Sequence, residues 1–256
     1  MIIPKTDRVA RMISDYVSHP SLVAVTGGGG KTSLLFSLAR YLQKDGSVLV
    51  TTTTKIGRSY PCGAEEYLIS EKLSLDDLRA ALSRAADTVV VGDSVRGPKL
   101  IGVAPEMAVT FFSGGLAEHV LAECDGSRGL PFKAYEDYEP VIPSCATLHI
   151  VVAGSEILYA PLSSENVFRF DLLKKRWGIN DGEAIPIETL ARILESPSEY
   201  LKDTPKDAAR LLLFNKCDLL FDGDRDKISE TATKLARRLS RYDALAFVSL
   251  KDDRCY

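Results

Sequence analysis

Leu22-Val23-Ala24-Val25-Thr26-Gly27-Gly28-Gly29-Gly30-Lys31-Thr32-Ser33-Leu34-Leu35 is the stretch that decides the fold. Four apolar residues supply a short buried strand, four consecutive glycines a loop, and Lys31-Thr32 opens a helix whose Leu34, Leu35 and Leu38 recur at helical spacing. Glycines permit positive φ angles and close approach to the backbone, and a helix N-terminus carries partial positive charge. Strand, glycine loop and helix in that order therefore form a cradle for a polyphosphate. In this reading Thr26, Gly27, Gly28, Gly29 and Gly30 wrap the phosphates and Lys31 reaches the β- and γ-phosphates. The Thr32 hydroxyl sits on Mg²⁺, with Ser33 in the same helical turn. The plainer alternative is a glycine turn that only caps a helix. The run also departs from the usual G-x-x-x-x-G-K-[ST] spacing, which would place glycine at Val25.

Outward from this core, short β-branched runs alternate with amphipathic segments, the rhythm of βαβ units. Strands are predicted at Leu22 to Val25, Val48 to Thr53, Thr88 to Val91, His119 to Glu123, Leu148 to Val152, Leu211 to Phe214 and Leu245 to Val248. Helices are predicted after a cap at Asp7, then at Thr32 to Leu42, Leu75 to Ala86, Ala104 to Phe112, Phe168 to Trp177, Ile187 to Leu194 and Lys227 to Leu239. The expected fold is α/β and P-loop NTPase-like, a mostly parallel sheet of about seven strands with helices on both faces. Strand signals continue to the end and no linker intervenes, so residues 1–256 read as a single domain, with about 155–207 as a helical insertion. The segment from Asp125 to Pro143, rich in Gly, Pro and charge, reads as a long functional loop.

With 45% hydrophobic and 26% charged residues in 256, the composition is that of a folded globular chain. A net charge of −3 provides no field for a long nucleic acid, so DNA and RNA are not expected partners. No secretory leader or apolar run of membrane-spanning length is present, which points to the cytoplasm and away from the membrane. The five cysteines, Cys62, Cys124, Cys145, Cys217 and Cys255, are widely spaced without a C-x-x-C pair, and His19, His119 and His149 do not cluster in sequence, so neither disulfides nor zinc is expected.

Parallel strands deliver their C-terminal ends to one rim, so the other strand ends are the places to search for chemistry. Thr53 and Thr54 in Thr51-Thr52-Thr53-Thr54-Lys55 fit either the magnesium shell and γ-phosphate or an ordinary threonine-rich strand. Glu123 and Asp125 lie at and just past the end of an apolar strand, two residues apart and so on one side of it. One could hold Mg²⁺ and the other orient a nucleophile. Arg128 and Lys133 follow as candidate clamps on a phosphate or acidic substrate, or as plain solvated charges. Asn215-Lys216-Cys217-Asp218 follows the apolar Leu211 to Phe214 run. There Asp218 could accept from both N1–H and N2–H₂ of guanine, Lys216 lie along the base and Asn215 tie loops together, which favours GTP over ATP. Otherwise it is a polar turn.

These motifs together, V-T-G-G-G-G-K-T, T-T-T-T-K-I, A-E-C-D-G-S-R-G-L-P-F-K-A, E-P-V-I-P and N-K-C-D, resemble the YqeC family from about Ser21 to Ser249. The resemblance implies an accessory protein for selenium-dependent molybdenum hydroxylases, with a hydroxylase or its cofactor as partner. Cys124 stands where the family's E-A-D-G form has alanine. Phe168-Arg169 stands where many relatives have His-Arg, so only the arginine's role carries over. The glycine loop by itself also looks like those of Mur-type ligases and of the dimerising, deviant P-loop ATPases and GTPases. A small-molecule kinase, a ligase, or a nucleotide-controlled chaperone or switch with little turnover are therefore the alternatives to an NTP-hydrolysing maturation factor. Oligomeric state is not legible.

Overall fold

Strands buried on both faces organise the chain, whose computed structural model describes residues 7–58, 60, 64–69, 74–84 and 88–256. In chain order the elements are α1 (Arg8–Ser14), β1 (Ser21–Gly27), α2 (Lys31–Leu42), β2 (Val48–Thr52), β3 (Lys55–Gly57), β4 (Glu65–Leu68), α3 (Leu75–Arg84), β5 (Val89–Gly92), β6 (Ser94–Arg96), β7 (Lys99–Ile101) and α4 (Pro105–Ser113). Then come β8 (His119–Glu123), β9 (Phe132–Lys133), β10 (Leu148–Gly154), β11 (Val167–Phe168), α5 (Phe170–Trp177), α6 (Ile187–Leu194), β12 (Ala209–Asn215), α7 (Arg225–Ala236), β13 (Ala244–Ser249) and β14 (Arg254–Cys255).

Among the described residues the main sheet has nine strands, in the order β14-β13-β12-β10-β1-β8-β2-β5-β4. Every neighbouring pair is parallel except β13 with β14. Odd-numbered residues of β1, Val23 and Val25, pack with α1 and α2 through Val9, Ile13, Leu34, Leu35 and Leu38. The even-numbered Leu22 and Ala24 pack on the other face with Ala108 and Phe111 of α4. Further along that second face, Val151, Leu212, Phe214 and Phe247 meet α5, α6 and α7. Helices thus cover both faces, as βαβ alternation requires.

From β1 the chain first builds the β8, β2, β5, β4 side and later the β10, β12, β13, β14 side. The order reverses at β1, and a crevice opens beyond the C-terminal ends of the strands at such a reversal. That crevice contains the glycine loop.

All seven predicted strands lie in this sheet. The two that sequence reading missed are its edges: β4 carries Glu65 and Glu66, and β14 is two residues long. Also missed are the small three-stranded sheet β3-β7-β6 and the pair β9-β11, all too short for periodicity to register. The predicted helix from Leu75 is described as far as Arg84, and its last predicted residues, like Cys62, lie outside the described residues. Asp7 makes no side-chain cap bond to α1; its carboxylate instead accepts from Arg40 (2.7 Å) and Lys44 (2.6 Å) of α2. The segment joining β10 to β12 carries β11, α5 and α6. Among the described residues, no helix is long and apolar enough to cross a membrane.

Candidate functional site

The glycine run is crowded, by backbone at Gly27, Gly28 and Gly29 and by a side chain at Gly30. At Gly27, with φ +97°, an added Cβ would fall 2.0 Å from the Val152 carbonyl oxygen; at Gly30, with φ +135°, it would fall 2.4 Å from Asn215 Nδ2. The same crowding engages the first three glycine amides. Gly27 N–H donates to Asp125 Oδ2 (2.8 Å), Gly28 N–H to Val152 O (2.8 Å) and Gly29 N–H to Leu130 O (3.0 Å). Leu34 N–H is the first to close a helical bond, to Gly30 O at 3.0 Å. The donors without an intrahelical acceptor are therefore those of Gly30, Lys31, Thr32 and Ser33, at the positive end of α2. Thr26 turns inward, its hydroxyl 2.8 Å from Nε2 of the buried His149.

Lys31, Thr32, Glu123 and Asp125 form one cluster. Lys31 Nζ donates to Gly27 O (2.7 Å) and Ser127 Oγ (3.3 Å) and lies 3.7 Å from Glu123 Oε1. It also lies 3.1 Å from Asp125 Oδ1, a close ion pair that lacks hydrogen-bond geometry. Thr32 Oγ1 donates to Glu123 Oε2 at 2.7 Å. Burial opposes the Lys31 ammonium, but Asp125 and Glu123 outweigh it and hold the group above the ordinary lysine value.

The two carboxylates differ. Burial pushes Glu123 above the usual carboxylate value, Lys31 and Thr32 only partly opposing it and Asp125 adding to the rise. Burial likewise penalises Asp125, but Lys31, Lys133, the Tyr135 hydroxyl and Gly27 N–H prevail and hold it below the usual value. Glu123 lines the cleft, whereas Asp125 stands fully buried behind Lys31.

The cleft measures about 1120 Å³. Its walls include Gly29 to Ser33, Glu123, Gly126 to Gly129, Asn215, Lys216 and Asp218, with Lys55 and Lys99 opposite. On the β12 side Asn215 ties three segments: Nδ2 donates to Gly29 O (2.7 Å) and Oδ1 accepts from Leu250 N (3.0 Å). Lys216 pairs with Glu156. Among the described residues, the Asp218 carboxylate has neither hydrogen bond nor ion pair and faces the cleft. Arg128 is exposed at the cleft wall, its guanidinium 5.0 Å from the centre of the Phe168 ring. Thr53 and Thr54 are not among the cleft walls. Thr53 Oγ1 donates to Val141 O (2.7 Å) and Thr54 N–H to Thr52 Oγ1 (3.1 Å), so both brace the end of β2.

Lys133 corrects the sequence reading in both its forms, because it is neither a clamp at the cleft nor solvated. It is fully buried, donating to Gly126 O (2.8 Å) and Glu139 Oε2 (2.8 Å) and lying 3.5 Å from Asp125 Oδ2. Arg169 reaches Glu139 from the far side, and Tyr135 donates its hydroxyl to Asp125 Oδ2 at 2.6 Å. The segment from Asp125 to Pro143 is thus wound into the interior, with an ionic chain, Lys31–Asp125–Lys133–Glu139–Arg169, running along it. Tyr135 and Glu139 were missed; the only sequence signal for them was the unusual density of charge and aromatics in a segment without periodicity. His119 Nδ1 meets Ser21 Oγ at 2.8 Å, and His149 also meets Thr204 Oγ1 at 2.8 Å through Nδ1, its basicity pushed down by burial to about 3.

No three His, Cys, Asp or Glu side chains cluster as a metal-binding group among the described residues. A cation at Thr32 and Glu123 would take few ligands from protein and the rest from phosphate and water, which is the habit of Mg²⁺.

The YqeC protein family model matches residues 23–171, from the first strand through the ionic chain to Arg169. The chain is also similar to the uncharacterized protein YqeC of Escherichia coli strain K12, with 30% identity over 199 residues that cover 77% of each chain. A match over more than half the chain, which takes in the glycine loop and the buried charges that brace it, shows that this chain belongs to the YqeC family.

Proposed function

We propose that this protein binds a purine nucleoside triphosphate with Mg²⁺, guanine favoured over adenine, and couples it to the maturation of a molybdenum hydroxylase or its cofactor. One observation carries the binding reading: four unengaged amides from Gly30 to Ser33, the Lys31 ammonium and the Thr32–Glu123 pair converge on one cleft at the sheet's reversal point. The phosphates would occupy the α2 N-terminus, with Lys31 exchanging the Gly27 carbonyl for phosphate oxygens while its pairing with Asp125 keeps it charged. Thr32 and Glu123 would hold Mg²⁺, which supplies neutralisation of phosphate charge. The unpartnered Asp218 supports guanine, because a carboxylate can accept from both N1–H and N2–H₂. The accessory role for selenium-dependent enzymes rests on the family resemblance alone.

Calorimetric titration with GTP, ATP and their diphosphates, with and without Mg²⁺, tests the reading. Mg²⁺-dependent heat for GTP exceeding that for ATP supports it; no heat for either triphosphate at millimolar concentration rejects it. Multiple-turnover phosphate release without a partner marks an NTPase, whereas tight binding with negligible turnover marks a switch.

A further inference from the structure

The residues assigned above to the nucleotide line one half of the cleft, from the start of α2 to the end of β12. The phosphate cradle follows β1 and the base-reading residues follow β12, two strand positions away or about 10 Å. In the opposite direction the cleft continues past β8 to residues that follow β2, another two positions and again about 10 Å. A volume near 1120 Å³ exceeds what one ligand of drug size commonly fills.

That second half is cationic by construction. In the small sheet, β3 pairs antiparallel with β7, Lys55 opposite Ile101 and Gly57 opposite Lys99. Alternation places Lys55 and Lys99 on one face as a diagonal pair, with Cβ atoms about 7–8 Å apart, close enough for both ammonium groups to converge on one oxyanion. The residues between them, Ile56 and Leu100, are buried and anchor that sheet in the core. Gly57, lying opposite Lys99, leaves open space: a Cβ there would meet nothing within 4 Å. Arg128 stands on the wall that follows β8, held in a left-handed conformation with φ 53°. Among the described residues, none of Lys55, Lys99 and Arg128 forms an ion pair. Lys55 and Lys99, brought together by that register, and Arg128 thus add three unpaired cations to the lining of one cleft, in a chain whose net charge is −3.

We propose that Lys55 and Lys99, in the cleft that Arg128 also lines, form a subsite for the oxyanion of a second, small-molecule substrate, a phosphate or carboxylate held beside the terminal phosphate of the nucleotide. This deepens the nucleotide-binding reading and rests on it for the orientation of the two ligands, but the anion site itself can be measured separately.

The experiment titrates the full chain with inorganic phosphate, and in a parallel arm with malonate, while a non-hydrolysable GTP analogue and Mg²⁺ fill the cradle. The parent should take up a further anion, and the arm with the stronger binding identifies the chemical class. The double variant Lys55→Ala/Lys99→Ala should bind that anion at least about tenfold more weakly, with affinity for the GTP analogue unchanged within about twofold. Lys55→Arg/Lys99→Arg, which keeps both charges, should retain most of the anion binding. Four results overturn the subsite: no second anion in either arm, anion binding untouched in the double alanine variant, loss in the arginine variant equal to that in the alanine variant, or loss of analogue affinity in step with the anion. The last would make the lysines part of the triphosphate site. The same phosphate titration on Lys31→Ala, without nucleotide, separates the two readings. Anion binding that still depends on Lys55 and Lys99 there upholds the subsite even where the parent binds no nucleotide.

Discussion

Replacing Asp125 by asparagine and Glu123 by glutamine removes one negative charge each from positions two residues apart, yet the structure predicts opposite consequences. Asp125 is fully buried; its Oδ2 accepts from Gly27 N–H (2.8 Å) and the Tyr135 hydroxyl (2.6 Å), and it faces the ammonium groups of Lys31 (3.1 Å) and Lys133 (3.5 Å). Asparagine leaves those two buried cations under-compensated, a change that costs about 3–5 kcal/mol. For a domain of this size, where 1 kcal/mol moves Tm by about 2–4 °C, Asp125→Asn should lower Tm by roughly 6–20 °C. Glu123, by contrast, is held above its ordinary pKa by burial, so it ionises less readily in the folded chain than in the unfolded one. Its ionisation therefore subtracts stability as pH rises through that raised value, and Glu123→Gln relieves the cost while the amide oxygen can still accept from Thr32. The Gln variant should melt within about 1 kcal/mol of the parent at pH 7 but bind Mg²⁺–GTP far more weakly. Its stability relative to the parent should decline as pH falls back into the ordinary carboxylate range. Asp125 is held below its ordinary value, so the stability it contributes is present above the ordinary carboxylate pKa and is lost only in more acid solution. Thermal unfolding followed by circular dichroism between about pH 2 and about pH 8 reads all of this. Equal losses in the two variants, or an Asp125→Asn melt indistinguishable from the parent, would refute the division between a bracing and a cleft-facing carboxylate.

Other perturbations test other parts of the molecule. Asp218→Asn should shift preference from guanine to xanthine nucleotides, because the amide offers a donor where xanthine has a carbonyl; a competition assay showing unchanged preference would make the tetrapeptide a simple turn. Gly30→Ala forces a Cβ to 2.4 Å from Asn215 Nδ2 at φ +135°, and should cost more than about 2 kcal/mol in denaturant titration, with loss of the Asn215 bond to Gly29 O. Cys124 and Cys217 are buried with thiols pushed up by burial, that of Cys217 to about 12, so iodoacetamide at pH 8 should spare both in the native protein and modify them after unfolding, as read by mass spectrometry.

The central part of the fold was legible because local chemistry and tertiary demand coincide there. Four glycines between an apolar strand and a leucine-bearing helix leave few alternatives, and Ile187–Leu194 and His119–Glu123 matched their predicted ends residue for residue. The edge strands were not legible, because Glu65 and Glu66 in β4 and the two residues of β14 carry no apolar alternation. At the site, period two correctly put Glu123 and Asp125 on one side but could not rank them. Their depth is set by Lys133 and Tyr135, which arrive from an aperiodic segment buried by its own ion pairs. Nor does a glycine run announce that three of its amides are spent on Asp125, Val152 and Leu130. Thr53 shows the limit from the other side, since its hydroxyl is committed to the Val141 carbonyl, a partner 88 residues away that no local pattern announces.

The most direct measurement follows backbone amide resonances of the ¹⁵N-labelled chain as Mg²⁺–GTP is added. The amides of Gly30, Lys31, Thr32 and Ser33 should shift most and saturate together, while those of Gly27, Gly28 and Gly29, already bonded within the protein, move less. Saturable binding that leaves the four amides at the start of α2 unmoved, or no shift anywhere at millimolar nucleotide, would contradict the account.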